Sequence, residues 1–327
     1  MKKNFKATPD RGRRYDVIGV GFGPANIALA VAFEELHANV ANVVFLEGRK
    51  SSAWQPGMLF AGADIQNHPL RDLVTPRNPR SKYSFVNFLF ETNRLFEHLN
   101  LGIPFPLRSE YAQYIDWVAD HFARWVRYSN TVSRIEVRRD LDGHGDGYRV
   151  YTETGQVFEA DALVVAPGRT PFIPSVFAES KTPRIIHANE FLPALDGFDR
   201  AGLKHVAVVG GSQSAVEIML YLAKSRPDLE ITGITRSFGY RLKDTSPFTG
   251  EVYFPEFVDL FYNASESQKE RLISDLHYTN YSSSDKDVLD ELYKSIYEQK
   301  ILGRSMITLY RSTDIVSVDI LSHRPRL

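Results

Sequence analysis

Two short stretches of this sequence can hold a phosphate with main-chain groups alone. The first reads Gly19-Val20-Gly21-Phe22-Gly23-Pro24. Gly19 permits a tight turn, and Gly21 lets backbone N–H groups approach a pyrophosphate. Pro24 suits the first turn of a helix whose dipole then faces that charge. Ala25 and Asn26 continue into that helix, and Glu47 closes the next apolar run, where an acid takes ribose hydroxyls. The second stretch reads Gly210-Gly211-Ser212-Gln213-Ser214-Ala215. Ser212 stands where a second glycine would be, so backbone approach is less free there. Arg236 follows the next apolar run, and a basic residue in that place suits a 2′-phosphate, hence NADPH over NADH. The bland alternatives are two glycine-rich strand–helix turns and an ordinary surface arginine.

Two dinucleotide folds in one chain imply a flavin and a nicotinamide, with hydride passing between them. The sequence contains no cysteine, which excludes redox dithiols, thiolate nucleophiles and Cys-ligated metals. Oxygen is then the electron acceptor that remains. The nine histidines show no metal-ligand spacing. His187 and His277 read as structural, and no metal site is expected.

The elements that must position these turns are legible from periodicity. Strands at 15–20 and 43–46 flank a helix from Pro24 to about Asn39, which is a βαβ unit. An irregular stretch, 50–81, is long enough to suggest function. Helical patterns follow at 83–99, whose aromatics read as core, and at 109–126; strands follow at 131–138, 147–152 and 161–165. A Pro-rich link over roughly 168–204 leads to a second βαβ unit, with strand 205–209, helix 213–224 and strand 230–235. Helices at 255–262, 266–276 and 285–301 and strands at 306–310 and 314–320 complete the chain, with "SSSD" (282–285) as a helix N-cap. The reading is an α/β protein with two Rossmann-like dinucleotide-binding domains: a basic flexible tail 1–14, an FAD-binding domain 15–204 and an NADPH-binding domain 205–327. At 327 residues the length suits two domains, and 43% hydrophobic with 24% charged residues is ordinary for a globular protein. Net charge is −1, which favours neither nucleic acid nor an anionic membrane. The basic start lacks a signal-peptide h-region, and no apolar run is long enough to span a bilayer, so a cytoplasmic protein is expected.

Beyond these turns the residues resemble the flavin-dependent N-hydroxylating monooxygenases that act on the side-chain amine of ornithine or lysine in siderophore biosynthesis. "DVIGVGFGPANIALA", "SAWQPGM" (52–58), "IQNHPLRDLVTPRNPRSKYSFVNFL" (65–89), "GGSQSA", "DTSPFTGEVYFPEFVDLFY" and "HYTNYSSSD" carry the resemblance through their order and spacing, from residue 15 to about 303. It implies that Gly19, Gly21, Gly23, Pro24, Ala25, Asn26, Glu47 and Gln66 hold FAD, with Trp54, Met58 and Val132 near the flavin. Gly211, Ser212, Gln213, Ser214 and Arg236 would take NADPH, with Asn280, Tyr281 and Ser282 beside the nicotinamide ribose. The amine substrate would meet Gln66, Arg71, Asn280 and position 250. Arg71 stands where the family has a lysine for the substrate carboxylate; a guanidinium grips a carboxylate bidentately. Gly250 stands where the family has a second substrate asparagine, and Gln55 replaces a histidine. Arg71 has a bland reading as the partner of Asp72, Asn280 as a turn residue and Trp54 as core. The implied chemistry is oxygen transfer to the neutral amine from a C4a-hydroperoxide of the flavin, with no catalytic acid or base among the side chains.

The family also has a later strand ending in A-T-G-Y and a final helix, and no motif after Leu309 matches them. The expectation is therefore an FAD domain without its usual C-terminal segment, with an apolar sheet face left open. Two classes of function follow: an amine N-monooxygenase using dioxygen, or a truncated or impaired relative that binds nucleotide or a partner. A homo-oligomer is compatible with either.

Overall fold

The computed structural model describes residues 14–36, 42–139, 145–178, 180, 182–200, 202–321 and 324–326. Residues 1–13 of the expected basic tail and the end of the first helix, 37–39, lie outside them; Arg14, expected in that tail, instead opens the first strand. The chain divides into two compact units, Met1–Thr170 and Pro171–Leu327, so the link 171–204 clusters with the second. No helix among the described residues is long and apolar enough to cross a membrane.

The first unit is built on β1 (Arg14–Val20), α1 (Pro24–Glu35) and β2 (Val43–Leu46). All four residues of β2 are buried, the mark of a parallel strand covered on both faces. The helices α2 (Phe85–Glu91), α3 (Leu95–Leu101) and α4 (Arg108–His121) follow. Four strands then complete one sheet: β3 (Val126–Arg127), β4 (Val132–Arg139), β5 (Gly145–Thr152) and β6 (Val157–Val165). Its order is β3-β2-β1-β6-β5-β4, parallel from β3 to β6 and antiparallel through the β6-β5-β4 meander. On one face Ile27, Ala30 and Val31 of α1 meet Phe45, Phe85, Phe88, Tyr114 and Ile115. On the other Tyr15, Ile18 and Val44 meet Val150 and Phe158. Burying one such phenylalanine stabilises the fold by about 2–3 kcal/mol.

The helix expected over 83–99 breaks in two. Asn93 takes a left-handed φ of 57°, which asparagine tolerates better than most residues. Thr92 Oγ1 donates back to the Phe88 carbonyl at 2.7 Å, a bond that competes with helix continuation. The break also corrects the reading of the aromatics as core: Phe85 and Phe88 are buried, but Phe90 and Phe96 are exposed.

The second unit opens with α5 (Ser175–Ala178) and α6 (Phe191–Arg200). Then come β7 (His205–Val209), α7 (Gln213–Ser225) and β8 (Glu230–Ile234). Helices α8 (Pro255–Asn263), α9 (Glu266–Asp275) and α10 (Lys286–Ile301) precede β9 (Ile307–Tyr310). The order is β7-β8-β9, all parallel, and α7 lays Val216, Met219 and Leu222 into the core. Instead of one strand over 314–320, a small hairpin pairs β10 (Asp319–Leu321) with β11 (Arg324–Arg326). Asp285 does stand at the N-cap of α10, but its side chain makes no cap bond. Its backbone N–H serves another purpose described below.

Candidate nucleotide and substrate sites

In the first unit the turn follows β1 directly. Gly21 has φ +83°, and a Cβ there would lie 2.5 Å from the Ala166 carbonyl oxygen. Glycine is therefore obligatory at 21 on two counts. Gly19 has a different purpose from the one expected: it lies inside β1, opposite Phe45, and a Cβ would sit 2.2 Å from that ring. Gly23 is the open position, with nothing within 4 Å of an added Cβ, at the N-cap of α1 and just before Pro24. Ala25 is exposed beside it. The opening and the helix N-terminus together fit a pyrophosphate.

The turn is braced from both sides. Asn26, buried, donates through Nδ2 to the Val20 carbonyl at 3.2 Å and the Gly21 carbonyl at 2.6 Å. It acts as an internal lock. Glu47 accepts from the Phe22 N–H at 2.7 Å with one oxygen and from the Arg49 N–H at 2.9 Å with the other. Carboxylate oxygens keep further lone pairs, so a ribose hydroxyl can still be received there.

The stretch 52–66 lines up against the same core. Trp54 meets the Tyr111 ring edge-on, with centroids 5.4 Å apart. Met58 is buried, and its carbonyl accepts from Arg108 Nη1 at 2.7 Å. Trp54 thus takes its bland reading at least in part, as a core-packing ring. Gln55 is exposed and left-handed, with φ 44°. Gln66 is also left-handed, with φ 56°, and its Nε2 is buried without a hydrogen-bond partner. A buried amide donor left unpaired costs about 1–3 kcal/mol, which a bound ligand carbonyl or ring nitrogen would recover. Val132 begins β4. Burial, aided by Asp120, Glu47 and Asp116, pushes the Tyr128 hydroxyl up to about 12.

Arg71 does not pair with Asp72. The Asp72 carboxylate accepts from the Val74, Thr75 and Phe85 N–H groups at 2.9, 2.6 and 2.6 Å, and from Thr75 Oγ1 at 2.8 Å. The Arg71 side chain is exposed and forms no ion pair or hydrogen bond among the described residues. It stands ready for an anion.

In the second unit Gly210 has φ +146°, and its N–H donates to the Ile234 carbonyl at 2.9 Å. A Cβ at Gly211 would lie 2.7 Å from Thr235 Oγ1. Ser212 is the N-cap of α7 in extended conformation, and its hydroxyl makes no cap bond. Ser214 follows in the first helical turn. Gln213, expected as a ligand, spends its amide inside the protein: Oε1 accepts from Asp285 N at 2.9 Å and Nε2 donates to Glu217 Oε1 at 3.0 Å. The Arg236 side chain is 86% exposed, with Asp314 no closer than 4.0 Å. Arg311 was missed by sequence reading. Its guanidinium lies over the Phe238 ring at 5.0 Å, and 235–237 is stitched to 310–313 by three main-chain bonds of 2.9–3.1 Å. The signal available was its place directly after the strand that pairs with β8.

Asn280 is exposed in the loop after α9, and its N–H reaches the His277 carbonyl at 3.4 Å. Tyr281 stacks on the His277 ring at 5.7 Å, and Ser282 Oγ lies 3.3 Å from His277 Nε2. His277 therefore holds the loop, while His187 Nδ1 accepts from the Asn189 N–H at 3.2 Å. Gly250 has open space where a Cβ would be, so the fold does not require glycine there. Among the described residues no three His, Asp or Glu side chains converge as a metal ligand set.

Each unit thus carries a strand–turn–helix cradle with the residue at the second strand end opposite in sign, Glu47 in one and Arg236 in the other. The family described as L-lysine 6-monooxygenase/L-ornithine 5-monooxygenase matches residues 13–325. The chain belongs to that family. The match extends past about residue 303, where the resemblance read from the sequence ended. The L-ornithine N(5)-monooxygenase of Pseudomonas aeruginosa is 38% identical over 314 residues, covering 91% of this chain and 71% of the relative. The solved ornithine hydroxylase PvdA from Pseudomonas aeruginosa superposes with a TM-score of 0.90 at 36% identity, covering 96% of this chain and 77% of that one. Kutzneria sp. 744 ornithine N-hydroxylase KtzI, solved with FADred, NADP+ and L-orn, gives 0.89 at 34% identity, over 95% and 74%. Across eight of the curated relatives matched, this family member spans 60–71% of their length.

Proposed function

We propose that this chain is an FAD- and NADPH-dependent N-monooxygenase acting on the side-chain amine of L-ornithine or L-lysine, with a place in siderophore biosynthesis. The overall change balances as amine, dioxygen, NADPH and a proton going to hydroxylamine, NADP+ and water. Bound FAD supplies the electron transfer and the activation of oxygen. The observation that carries the reading is the pair of cradles of opposite charge preference in a cysteine-free, two-unit chain of this family.

The protein's own residues bind and orient. The opening at Gly23, the α1 N-terminus, Glu47 and the unpaired Gln66 amide would hold FAD. The turn from Gly210 to Ser214 would take the NADPH pyrophosphate and Arg236 its 2′-phosphate. Arg71 would grip the substrate carboxylate, and Asn280 would contact the substrate and the nicotinamide ribose. Both side chains are exposed, as a small-molecule site requires. Gly250 removes one amide contact, so affinity for the amine is lower than an asparagine there would give.

The test is hydroxylamine formation by FAD-loaded protein with NADPH and L-ornithine, L-lysine or putrescine. The proposal expects an amino acid to be turned over faster than the diamine. Equal turnover of putrescine and ornithine would remove the role of Arg71. NADPH oxidation that yields only hydrogen peroxide with every amine would favour the impaired relative instead.

A further inference from the structure

The loop that carries Asn280 is tied to the nucleotide turn through Gln213, by one main-chain and one side-chain bond. Gln213 is the first helical residue of α7. Its N–H donates to the Ser283 carbonyl at 3.1 Å, and its Oε1 accepts from the Asp285 N–H at 2.9 Å. Its Nε2 donates to Glu217 Oε1, one helical turn on, at 3.0 Å. The far side of the loop is held by side chains and main chain together: Lys243 Nζ lies 3.9 Å from Asp285 Oδ1, the Arg241 guanidinium lies over the Tyr278 ring at 4.7 Å, and the Tyr253 hydroxyl donates to the Thr279 carbonyl at 3.4 Å. Ser284 N–H donates to the Arg241 carbonyl at 2.9 Å, Lys243 N–H to the Ser284 carbonyl at 2.8 Å and Asp244 N–H to the Tyr278 carbonyl at 3.0 Å. Ser284 is completely buried, whereas Asn280, Tyr281 and Ser282 are exposed. The segment from Tyr278 to Asp285 is therefore clamped at its base, while its exposed tip rests on His277.

The base of the clamp sits in the middle of the Gly210–Ser214 turn. Only an amide of this length both accepts from a backbone N–H and donates to a carboxylate at these positions. A glutamate would set two carboxylates against each other, and a methionine would supply neither function. We infer that Gln213 is a positioning residue that couples occupancy of the nucleotide turn to the pose of Asn280, and so to amine binding. The inference rests on the function proposed above. Coupling of this kind is reciprocal, so the amine must change nucleotide affinity by the same factor as nucleotide changes amine affinity.

The experiment uses the full chain loaded with FAD and measures NADP+ affinity by calorimetry, with and without saturating L-ornithine. Three proteins are compared: wild type, Gln213→Met, and Leu292→Ala, which opens a buried site on α10 away from the turn. Wild type is expected to bind NADP+ about fivefold or more tightly with ornithine present. Gln213→Met is expected to lose that factor, while Leu292→Ala, though less stable, keeps it. Retention of the wild-type factor by Gln213→Met, or a wild-type factor of one, overturns the inference. Hydrogen exchange of the ligand-free proteins separates this from failure of the functional reading. Amides from Tyr278 to Asp285 should lose protection in Gln213→Met and not in Leu292→Ala. Unchanged protection refutes the tie whether or not nucleotide binds; a wild type that binds neither ligand but shows the exchange pattern refutes only the proposed function.

Discussion

The two nucleotide cradles share one order of elements and are held shut in different ways. The first is braced from its own neighbourhood: Asn26 bonds the Val20 and Gly21 carbonyls, and Glu47 bonds the Phe22 N–H. The second is braced from a distance, by Ser283 and Asp285, some 70 residues along the chain. A locally locked turn suits a resident cofactor that stays bound through turnover. A turn tied to a loop that also presents Asn280 suits a coenzyme whose arrival must be felt by the substrate site. On the inference drawn above, two related glycine turns would serve one static and one coupled site.

The largest expected effect that tests this contrast comes from Gly21→Ala. The new Cβ meets the Ala166 carbonyl at 2.5 Å in a left-handed conformation. Left-handed strain and overpacking together cost about 2–5 kcal/mol. Urea unfolding should show the loss, and flavin should not be retained. Gly23→Ala sharpens the point, since its Cβ meets nothing. Stability should change by less than about 1 kcal/mol, while FAD affinity falls at least tenfold because the pyrophosphate opening is filled. If Gly23→Ala binds flavin like wild type, the opening is not the phosphate site.

A smaller and purely electrostatic effect is expected in the second cradle. Arg236→Ala removes a side chain that is 86% exposed, so unfolding should move by no more than about 0.5 kcal/mol. NADP+ should lose about tenfold or more in affinity while NAD+ changes little, since a guanidinium–phosphate pair is worth about 1.5–3 kcal/mol. Equal losses for both nucleotides would place Arg236 elsewhere than at the 2′-phosphate.

The smallest effect concerns acid stability of the first unit. Burial raises the Glu34 carboxyl, but its bonds to Lys82 and the Tyr83 hydroxyl outweigh this and hold it below the ordinary range. A depressed carboxylate stabilises the fold above its unfolded pKa, and that contribution is lost as pH falls through the folded value. Glu34→Gln should therefore cost stability at neutral pH and flatten the fall below about pH 4.5. A parallel acid limb in both proteins would contradict the assignment.

Much of this architecture was legible in the sequence because period and punctuation agree there. β1, β2 and β7 are apolar runs closed by glycine or a charge, and α1 and α7 begin at the expected residues. The break at Asn93 was not legible, because the aromatic period runs on through both α2 and α3 while a left-handed asparagine turns the chain. The purposes of the glycines were only half legible. Gly19 and Gly21 look alike in a motif, yet one makes room for Phe45 and the other for the Ala166 carbonyl. The ties from Gln213 to Ser283 and Asp285 span some 70 residues, beyond the reach of local spacing. Arg311 escaped notice because its relevance depends on β9 pairing with β8.

The most direct measurement is stoichiometric: titrate the purified full chain with FAD, then titrate the flavin-loaded protein with NADP+, following bound and free ligand by equilibrium dialysis. The account predicts one FAD and one NADP+ per chain, with no flavin released by the second ligand. Displacement of FAD by NADP+, or failure of both to bind, would contradict it.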